Sequence, residues 1–165
     1  MGFANFPIIA YHLQFHKVIP EAQIPTLYAV AMLVDAFVAI IIGKTYDKIG
    51  FVSLILIPIL TLPIAFLGFS DNSFFVVIAV ILWGAVMGIQ ETIMRAALAD
   101  ITSIRNRGKA YGIFNTIYGL ALLIGGVAMG YLYEYSVTYI ISFIVVVELL
   151  AFVAFGIFKK KIEGQ

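Results

Sequence analysis

The chain has 165 residues, of which 63% are hydrophobic and 12% charged, and its formal net charge is +1. So few polar side chains cannot cover a water-soluble globule of this size, so the composition excludes a soluble fold and predicts a polytopic membrane protein in contact with the lipid bilayer. The near-neutral charge gives no reason to expect nucleic-acid binding, and the lack of cysteine excludes disulfides and thiolate metal sites.

Charged residues divide the chain into six apolar segments, and a membrane span needs about 20 such residues. Five segments have that length, whereas the first is shorter and carries Pro7 and several polar side chains. The third holds Pro58 and Pro63, which lipid tolerates when neighbouring helices satisfy the freed carbonyls. We therefore expect an all-α membrane fold, a single bundle of six transmembrane helices. The predicted spans cover about residues 2–16, 24–43, 51–69, 74–98, 110–133 and 137–158.

The basic residues predict the orientation of the bundle. Tight turns are expected at residues 70–73 and 134–136, on the side where Lys17 is the only basic residue. The other basic loops alternate with these turns, and cytoplasmic loops are those enriched in Lys and Arg. We expect a multi-pass protein of the cell (plasma) membrane with a cytoplasmic carboxy terminus. The residues on the predicted cytoplasmic side are Lys44, Lys48, Arg105, Arg107, Lys109, Lys159, Lys160 and Lys161.

A short polar stretch, residues 43–50, separates the second and third spans. It contains Gly43, Asp47, Lys48 and Gly50, and glycines with charges between two apolar runs predict a loop. Asp47 would favour the positive amino-terminal end of the third helix. The spacing G-x-x-x-D-K-x-G resembles the loop signature of the major facilitator superfamily, a family of secondary transporters.

A second stretch carries the same resemblance. Residues 95–100 read RAALAD and residues 107–112 read RGKAYG, which is similar to the run from the tenth helix through a basic loop into a glycine-rich eleventh. The resemblance implies helices seven to twelve, the carboxy-terminal half of a twelve-helix transporter. The first segment resembles only the later part of a seventh helix, so Met1 is compatible with an internal start, a split gene or a truncated chain.

The resemblance also implies a role for the cytoplasmic loop that contains Gly43, Asp47, Lys48 and Gly50. In the family this loop is a latch that stabilises one access state, and here Asp47 would contact Arg95 or the loop of residues 105–109. The alternative is that the loop only turns the chain and sets its topology.

Glycines recur at helix-packing spacings in two spans. Lipid provides no hydrophobic drive between helices, so small residues must allow their backbones to approach. The fourth span has Gly84 and Gly88, and the fifth has glycines at seven-residue intervals followed by a G-x-x-x-G pair. We interpret all of them as packing residues that bind no ligand. Those of the fifth span are Gly112, Gly119, Gly126 and Gly130.

Four charged side chains lie inside predicted spans, where each costs about 2.5 to 3.5 kcal/mol unless it is paired or hydrated. Glu91 and Arg95 are four residues apart on one helix face, so they form either a structural pair or part of a transport gate. Asp35 and Glu148 have no such neighbour in sequence. Either carboxyl is a candidate for proton coupling, and the alternative for each is a protonated group hydrogen-bonded between helices.

The first segment carries several polar side chains. His12 and His16 are four residues apart, but no further ligand completes a metal set at a suitable spacing, so we expect no metal and no cofactor. By resemblance to the seventh helix of the family, the polar residues that would line a cavity are Asn5, Tyr11, His12 and Gln14.

These observations favour transport of a small-molecule substrate by alternating access, with proton coupling, as one half of a secondary transporter. Such a half needs a second six-helix half as its partner, from a separate chain, from missing sequence or from a second copy. The alternative is a truncated fragment or membrane assembly module that transports nothing. An intramembrane enzyme is disfavoured because the spans contain no HExxH, paired-aspartate or Ser/His pattern.

Overall fold

The computed structural model of the protein describes residues 5–163, and for residue 51 and residues 158–163 it describes the backbone alone. Within this range the chain is helical and contains no strand, which confirms the predicted all-α membrane fold. Short 3-10 helices precede α2, α3 and α5, at Glu21–Gln23, Gly50–Ile55 and Ile104–Asn106. The α-helices are α1 (Phe6–Phe15), α2 (Ile24–Ile49), α3 (Leu56–Leu67), α4 (Ser73–Ile101), α5 (Arg107–Tyr135) and α6 (Val137–Glu163).

Four helical segments of the described chain are long and apolar enough to cross a membrane, where the sequence predicted five. They are Glu21–Ile49, Ser73–Ile101, Ile104–Tyr135 and Val137–Ile157. The third predicted span is the shorter apolar segment Val52–Leu67. It begins in 3-10 form, which rises about 2.0 Å per residue instead of about 1.5 Å, so the segment covers more length than an α-helix of the same residues.

The first predicted span is also shorter than expected. Helix α1 has ten residues, and the predicted residues 2–4 lie outside the described part of the chain. The helix begins after Asn5 with Pro7 in its first turn, where the missing N–H of proline costs no hydrogen bond.

The predicted loop at residues 43–50 is wrong in its extent. Helix α2 continues through Gly43, Asp47 and Lys48 to Ile49, and the chain turns at Gly50, whose φ is 58°. A single glycine inside the helix costs about 1 kcal/mol and does not end it. Only Gly50 has the left-handed backbone that favours glycine and stops α2. Asp47 therefore lies in the last turn of α2, not at the start of the next helix.

The two turns predicted at residues 70–73 and 134–136 occur there but are shorter, because Ser73 begins α4 and α5 continues through Tyr135. The Asn72 side chain accepts a 2.9 Å hydrogen bond from the Phe74 N–H and caps α4. Ser136 is the single extended residue between α5 and α6. Both connections are short, so α3 with α4 and α5 with α6 form antiparallel hairpins.

Helices α2 and α4 form the closest pair in the bundle. A Cβ placed on Gly84 would overlap the Ala31 carbonyl, and a Cβ on Gly88 would lie 2.5 Å from the Asp35 carbonyl oxygen. The contact positions advance together along both helices, so the two run parallel. Their carboxy-terminal ends are joined by a 2.8 Å hydrogen bond from the Tyr46 hydroxyl to Asp100 Oδ2.

The other helices surround α4, the most buried span. Side chains from α1, α3, α5 and α6 complete one apolar core with it, while the outer faces of α2 and α5 stay largely exposed. The arrangement leaves a concave region between α1, α2, α4 and α5. Fully buried residues of the core include Ile9, Leu13, Ile64, Val76, Val80, Met129, Ile140 and Ile144.

Candidate functional site

The main cavity described here has a volume of about 580 Å³. Cavities of roughly 300 to 1,000 Å³ hold drug-sized molecules, so this one has room for a small organic solute. It lies where α1, α2, α4 and α5 meet, and its walls are mostly apolar and aromatic. The lining residues are Asn5, Phe6, Pro7, Ile24, Pro25, Tyr28, Trp83, Met87, Tyr118 and Leu122.

Three aromatic rings from three helices meet at one wall of the cavity. The Phe6 ring centroid lies 4.9 Å from that of Tyr28 and 5.5 Å from that of Trp83, and the Tyr28 and Trp83 centroids are 6.2 Å apart. All three pairs are tilted by 44° to 54°, the edge-and-face geometry that aromatic quadrupoles prefer. The cluster therefore presents ring faces and edges from several directions, not one flat surface.

A smaller polar pocket lies next to the main cavity, between α4 and α5. Tyr118 lines both, and its hydroxyl accepts a 3.0 Å hydrogen bond from Gln90 Nε2. The ring of Phe114 stacks on that of Tyr118, with centroids 5.9 Å apart. Tyr118 thus separates the apolar cavity from a charged region, whose lining residues are Gln90, Glu91, Met94, Arg95, Phe114, Asn115 and Tyr118.

Two of the four predicted intramembrane charges, Glu91 and Arg95, line this pocket, and a third, Asp35, lies near them. Arg95 Nη2 donates a 2.9 Å hydrogen bond to Glu91 Oε2, so these two form an ion pair along α4. Asp35, on the facing helix α2, is close enough to both to interact electrostatically. Gly88 leaves room for it, because a Cβ there would lie 3.0 Å from Asp35 Oδ1. Among the described residues Asp35 makes no hydrogen bond or ion pair of its own.

The structure divides the four predicted cavity residues of the first segment. Asn5 lines the main cavity. Tyr11 lines a recess between α1 and α5, and Tyr11 and Gln14 line another between α1 and the start of α2. His12 is buried instead of cavity-lining: its Nδ1 lies 2.9 Å from the Tyr133 hydroxyl, and its Nε2 has no partner among the described residues.

His12 and His16 are nevertheless neighbours in space. Their ring centroids are 4.4 Å apart, and His16 Nδ1 lies 3.5 Å from Asp71 Oδ1 in the α3–α4 turn. No group of three potential metal ligands occurs in the described part of the chain. These contacts link the carboxy-terminal end of α1 to α5 and to the turn between α3 and α4.

Glu148 lies away from the charged region. It is 5% exposed on the face of α6 that also buries Ile140 and Ile144, and α6 packs on α3. Its carboxyl has no hydrogen-bond or ion-pair partner among residues 5–163 and lines none of the cavities described above. The structure therefore separates the two lone carboxylates: Asp35 lies against Gly88, the sequence neighbour of the cavity-lining Met87, whereas Glu148 lies in a helix interface.

The predicted latch contacts of Asp47 are absent. Asp47 is exposed in the last turn of α2, and no hydrogen bond or ion pair joins it to Arg95 or to residues 105–109 in the described structure. Arg95 is paired with Glu91, and the Arg107 guanidinium donates a 3.2 Å hydrogen bond to the Ala99 carbonyl. The bond that joins α2 to α4 at this end comes instead from Tyr46 to Asp100.

Several site residues escaped prediction from the sequence. Tyr28, Trp83 and Tyr118 are aromatic residues in apolar spans, and periodicity alone does not separate a ring that faces a cavity from one that faces lipid. Tyr28 and Asp35 are seven residues apart, which puts them on one face of α2. That spacing is the signal that could have connected the aromatic residues with the acid.

The predicted packing glycines fall into two groups. Gly84 and Gly88 lie against the α2 backbone, whereas a Cβ on Gly112, Gly119 or Gly130 would meet no described atom within 4 Å. Gly126 is intermediate, because its Cβ would lie 3.4 Å from Asn5 Nδ2. The glycine face of α5 thus meets Asn5 at Gly126 and is otherwise uncovered by the described residues.

A bundle of apolar helices, four of them long enough to cross a membrane, defines a multi-pass membrane protein. The family model of the Major Facilitator Superfamily matches residues 1–164, and the chain belongs to that family. Members of the family are transporters and not enzymes, so the family implies transmembrane solute transport. No solved structure matches the chain.

Relatives among curated proteins come from mycobacteria. Uncharacterized proteins of Mycobacterium bovis and of two strains of Mycobacterium tuberculosis are each 37% identical to the chain over 153 residues. The matched region covers 93% of this chain and 37% of each relative. The chain therefore spans well under half the length of these relatives.

Proposed function

We propose that the chain forms the carboxy-terminal half of a secondary transporter that moves a small solute by alternating access. The observation that carries this proposal is the cavity between α1, α2, α4 and α5, which is large enough for a solute and has charged residues at one end. In transporters of this kind the substrate binds near the membrane midplane between two bundles, which rock around it. The cavity described here would be one wall of that site.

The uncovered glycines of α5 support a second bundle as the partner. Lipid chains gain nothing from a glycine face, whereas a second helix can approach closely along it. Gly112 and Gly119 are exposed on a helix that the chain itself covers on one side only. We propose that a helix of the other half packs there, whether that half is a separate chain, further sequence or a second copy.

Asp35 is the residue we propose for proton coupling. It lies against Gly88, next to the cavity-lining Met87, is only partly buried and has no bonded partner among the described residues, so its carboxyl is free to exchange a proton. The ion pair of Glu91 and Arg95 would balance the charges around Asp35 in one access state. Glu148 is a weaker candidate because its interface position separates it from the solute cavity.

The distribution of basic residues indicates how the chain is oriented in the membrane. We propose a plasma-membrane location with the α2–α3 turn, the α4–α5 loop and the carboxy terminus in the cytoplasm, because basic residues concentrate there. The Tyr46–Asp100 bond would then lie at the cytoplasmic end and clamp α2 to α4. Lys159, Lys160 and Lys161 support the same orientation, but their side chains are not among those that the structure describes.

The natural lack of cysteine makes the partner testable by cross-linking. A single cysteine at Gly119 is expected to cross-link in native membranes to the other half, or to a second copy. Ile117→Cys is the matched control, since Ile117 is 63% exposed on another face of α5. Equal cross-linking of both variants, or none from either, would contradict a helix packed on the glycine face.

Transport is tested in vesicles that contain the cross-linked or otherwise verified two-bundle assembly. Solutes from a chemically diverse panel are added, and proton movement is followed with an internal pH dye. We expect at least one solute to drive proton flux, and Asp35→Asn to abolish it while Asp71→Asn leaves it intact. A verified assembly that moves no proton with any solute would overturn the proton-coupled function.

A further inference from the structure

The described lining residues of the main cavity are mostly apolar, and those that are polar are uncharged. It is built from aromatic and aliphatic side chains with Asn5 and tyrosine hydroxyls as its polar groups, and none of the described lining residues carries a positive charge. The region between α2, α4 and α5 beside it contains two carboxylates, Asp35 and Glu91, and one guanidinium, Arg95. When these groups are ionised, the region next to the cavity has an excess of one negative charge.

The single positive charge of that region is not directed at the cavity. Arg95 is bound to Glu91 at 2.9 Å and is largely exposed, with 69% of its side-chain surface accessible. Its backbone carbonyl also accepts a 2.8 Å hydrogen bond from the Tyr111 hydroxyl. Asp35 has no bonded partner within the described chain, so its charge is the one left to act on a ligand.

The aromatic wall favours the same ligand class. A cation within about 6 Å of an aromatic ring is attracted by the ring quadrupole, most strongly by tryptophan. The rings of Phe6, Tyr28 and Trp83 lie 4.9 to 6.2 Å from one another, so a group bound beside one ring is near the others. Tyr28 and Asp35 share a face of α2, about 10 Å apart along the helix axis.

We propose that the cavity binds a hydrophobic organic cation. Its apolar part lies against Phe6, Tyr28 and Trp83, and its charge is balanced by Asp35. This inference rests on the proposed transport function and gives it a substrate class. An anion of the same shape would meet the negative end of the cavity and the negative ring faces, so the site selects by the sign of charge.

Trp83 provides the measurement, because it is the sole tryptophan of the sequence and lines the cavity. Tetraphenylphosphonium and tetraphenylborate are ions of closely similar shape and apolar surface with opposite charge. We expect the cation to change Trp83 fluorescence of the purified chain saturably and tetraphenylborate to bind at least tenfold more weakly. Equal binding of the two ions, preference for the anion, or no saturable binding would each overturn the proposal.

Two variants locate the binding site. Asp35→Asn is expected to weaken cation binding about tenfold, the effect of one charge at about 10 Å in a protein environment. Asp71→Asn, at the outer turn, is the charge-matched control and should leave binding unchanged. Tyr28→Leu is expected to weaken binding about fivefold, whereas Phe37→Leu, on an exposed face of the same helix, should not.

Loss of folding in a variant does not affect the main comparison, because that uses two ions on the unchanged chain. Cation binding that Asp35→Asn and Tyr28→Leu leave unaltered would overturn the assignment to this cavity. Solute-driven proton flux without cation binding would support transport and reject the cation. Cation binding without any proton flux would support the ligand class and reject the transport function.

Discussion

Helices α4 and α5 are each 29 residues long, and both carry glycines at helix-packing intervals. In α4 the glycines meet a partner, since Gly84 and Gly88 lie against the α2 backbone. In α5, Gly112 and Gly119 face open space within the described structure. Two similar sequence patterns therefore have different structural surroundings.

A glycine spacing alone does not determine which helix packs against it. The spacing indicates that a backbone can approach, but it does not say whose backbone. Helix α4 uses its glycines inside the chain and becomes the centre of the bundle. On our proposal α5 uses its glycines for a second bundle, and the solute cavity lies between the two kinds of interface.

The largest expected effect comes from Gly84→Ala. The new Cβ would lie 2.9 Å from the Ala31 carbonyl carbon and 3.0 Å from its Cα, so α2 and α4 must separate. We expect the free energy of unfolding to fall by about 3 kcal/mol, at the upper end of overpacking costs. Titration of the detergent-solubilised protein with SDS, followed by Trp83 fluorescence, measures it.

Gly119→Ala is the matched control on α5. Its Cβ would meet no described atom, and alanine is the better helix former, so stability should stay the same or rise by up to about 1 kcal/mol. A loss as large as that of Gly84→Ala would show that the α5 face is already covered in the isolated chain, and the contrast between the helices would be lost.

Gly88→Ala is expected to affect both the packing of α2 on α4 and the position of the Asp35 side chain. A Cβ there would lie 2.5 Å from the Asp35 carbonyl oxygen and 3.0 Å from Oδ1. We expect a loss of about 2 kcal/mol in unfolding free energy together with weaker tetraphenylphosphonium binding, because the Asp35 side chain must move. Lower stability with unchanged binding would mean that Asp35 does not act on the cavity.

Much of this fold follows from elementary properties of the sequence. Apolar runs between charges predict the helices, and Asn72 and Ser136 mark turns because they end those runs. The extent of α2 was harder to predict, since charges in a membrane protein suggest a loop. Lys44 and Asp47 in fact continue the helix beyond the apolar run, and only Gly50 has a backbone that stops it.

The candidate site was less predictable than the fold. Asp35, Glu91 and Arg95 stand out because charges are rare in spans, and all three lie in one region. The aromatic wall depends on how α1, α2 and α4 pack in three dimensions, which local spacing does not determine. The prediction for His12 was wrong, because this polar residue was expected to line a cavity and is instead buried against Tyr133.

A smaller effect is expected at the end of the α2–α4 interface. Tyr46 is 6% exposed and donates a 2.8 Å hydrogen bond to Asp100. Tyr46→Phe keeps the ring and removes the bond, so we expect a loss of about 1.5 kcal/mol, the lower end for a hydrogen bond to a charged group. Asp100→Asn, which keeps an acceptor, is expected to lose less, and an equal loss from both would point to the charge instead of the bond.

The smallest effect is expected where α5 meets α4. The Tyr111 hydroxyl donates a 2.8 Å hydrogen bond to the Arg95 carbonyl, but this contact is exposed to solvent, and water can replace it. Tyr111→Phe should therefore cost about 0.5 kcal/mol in the isolated chain, against the larger loss for Tyr46→Phe. The same SDS titration compares the two variants directly.

If α5 gains its main contacts from a second bundle, the loss for Tyr111→Phe should remain small after assembly, while Gly119→Ala should become destabilising, because its Cβ would then meet the partner helix. A Gly119→Ala variant that is neutral in the verified two-bundle assembly would contradict the proposed interface, since it would place the partner on another face of α5.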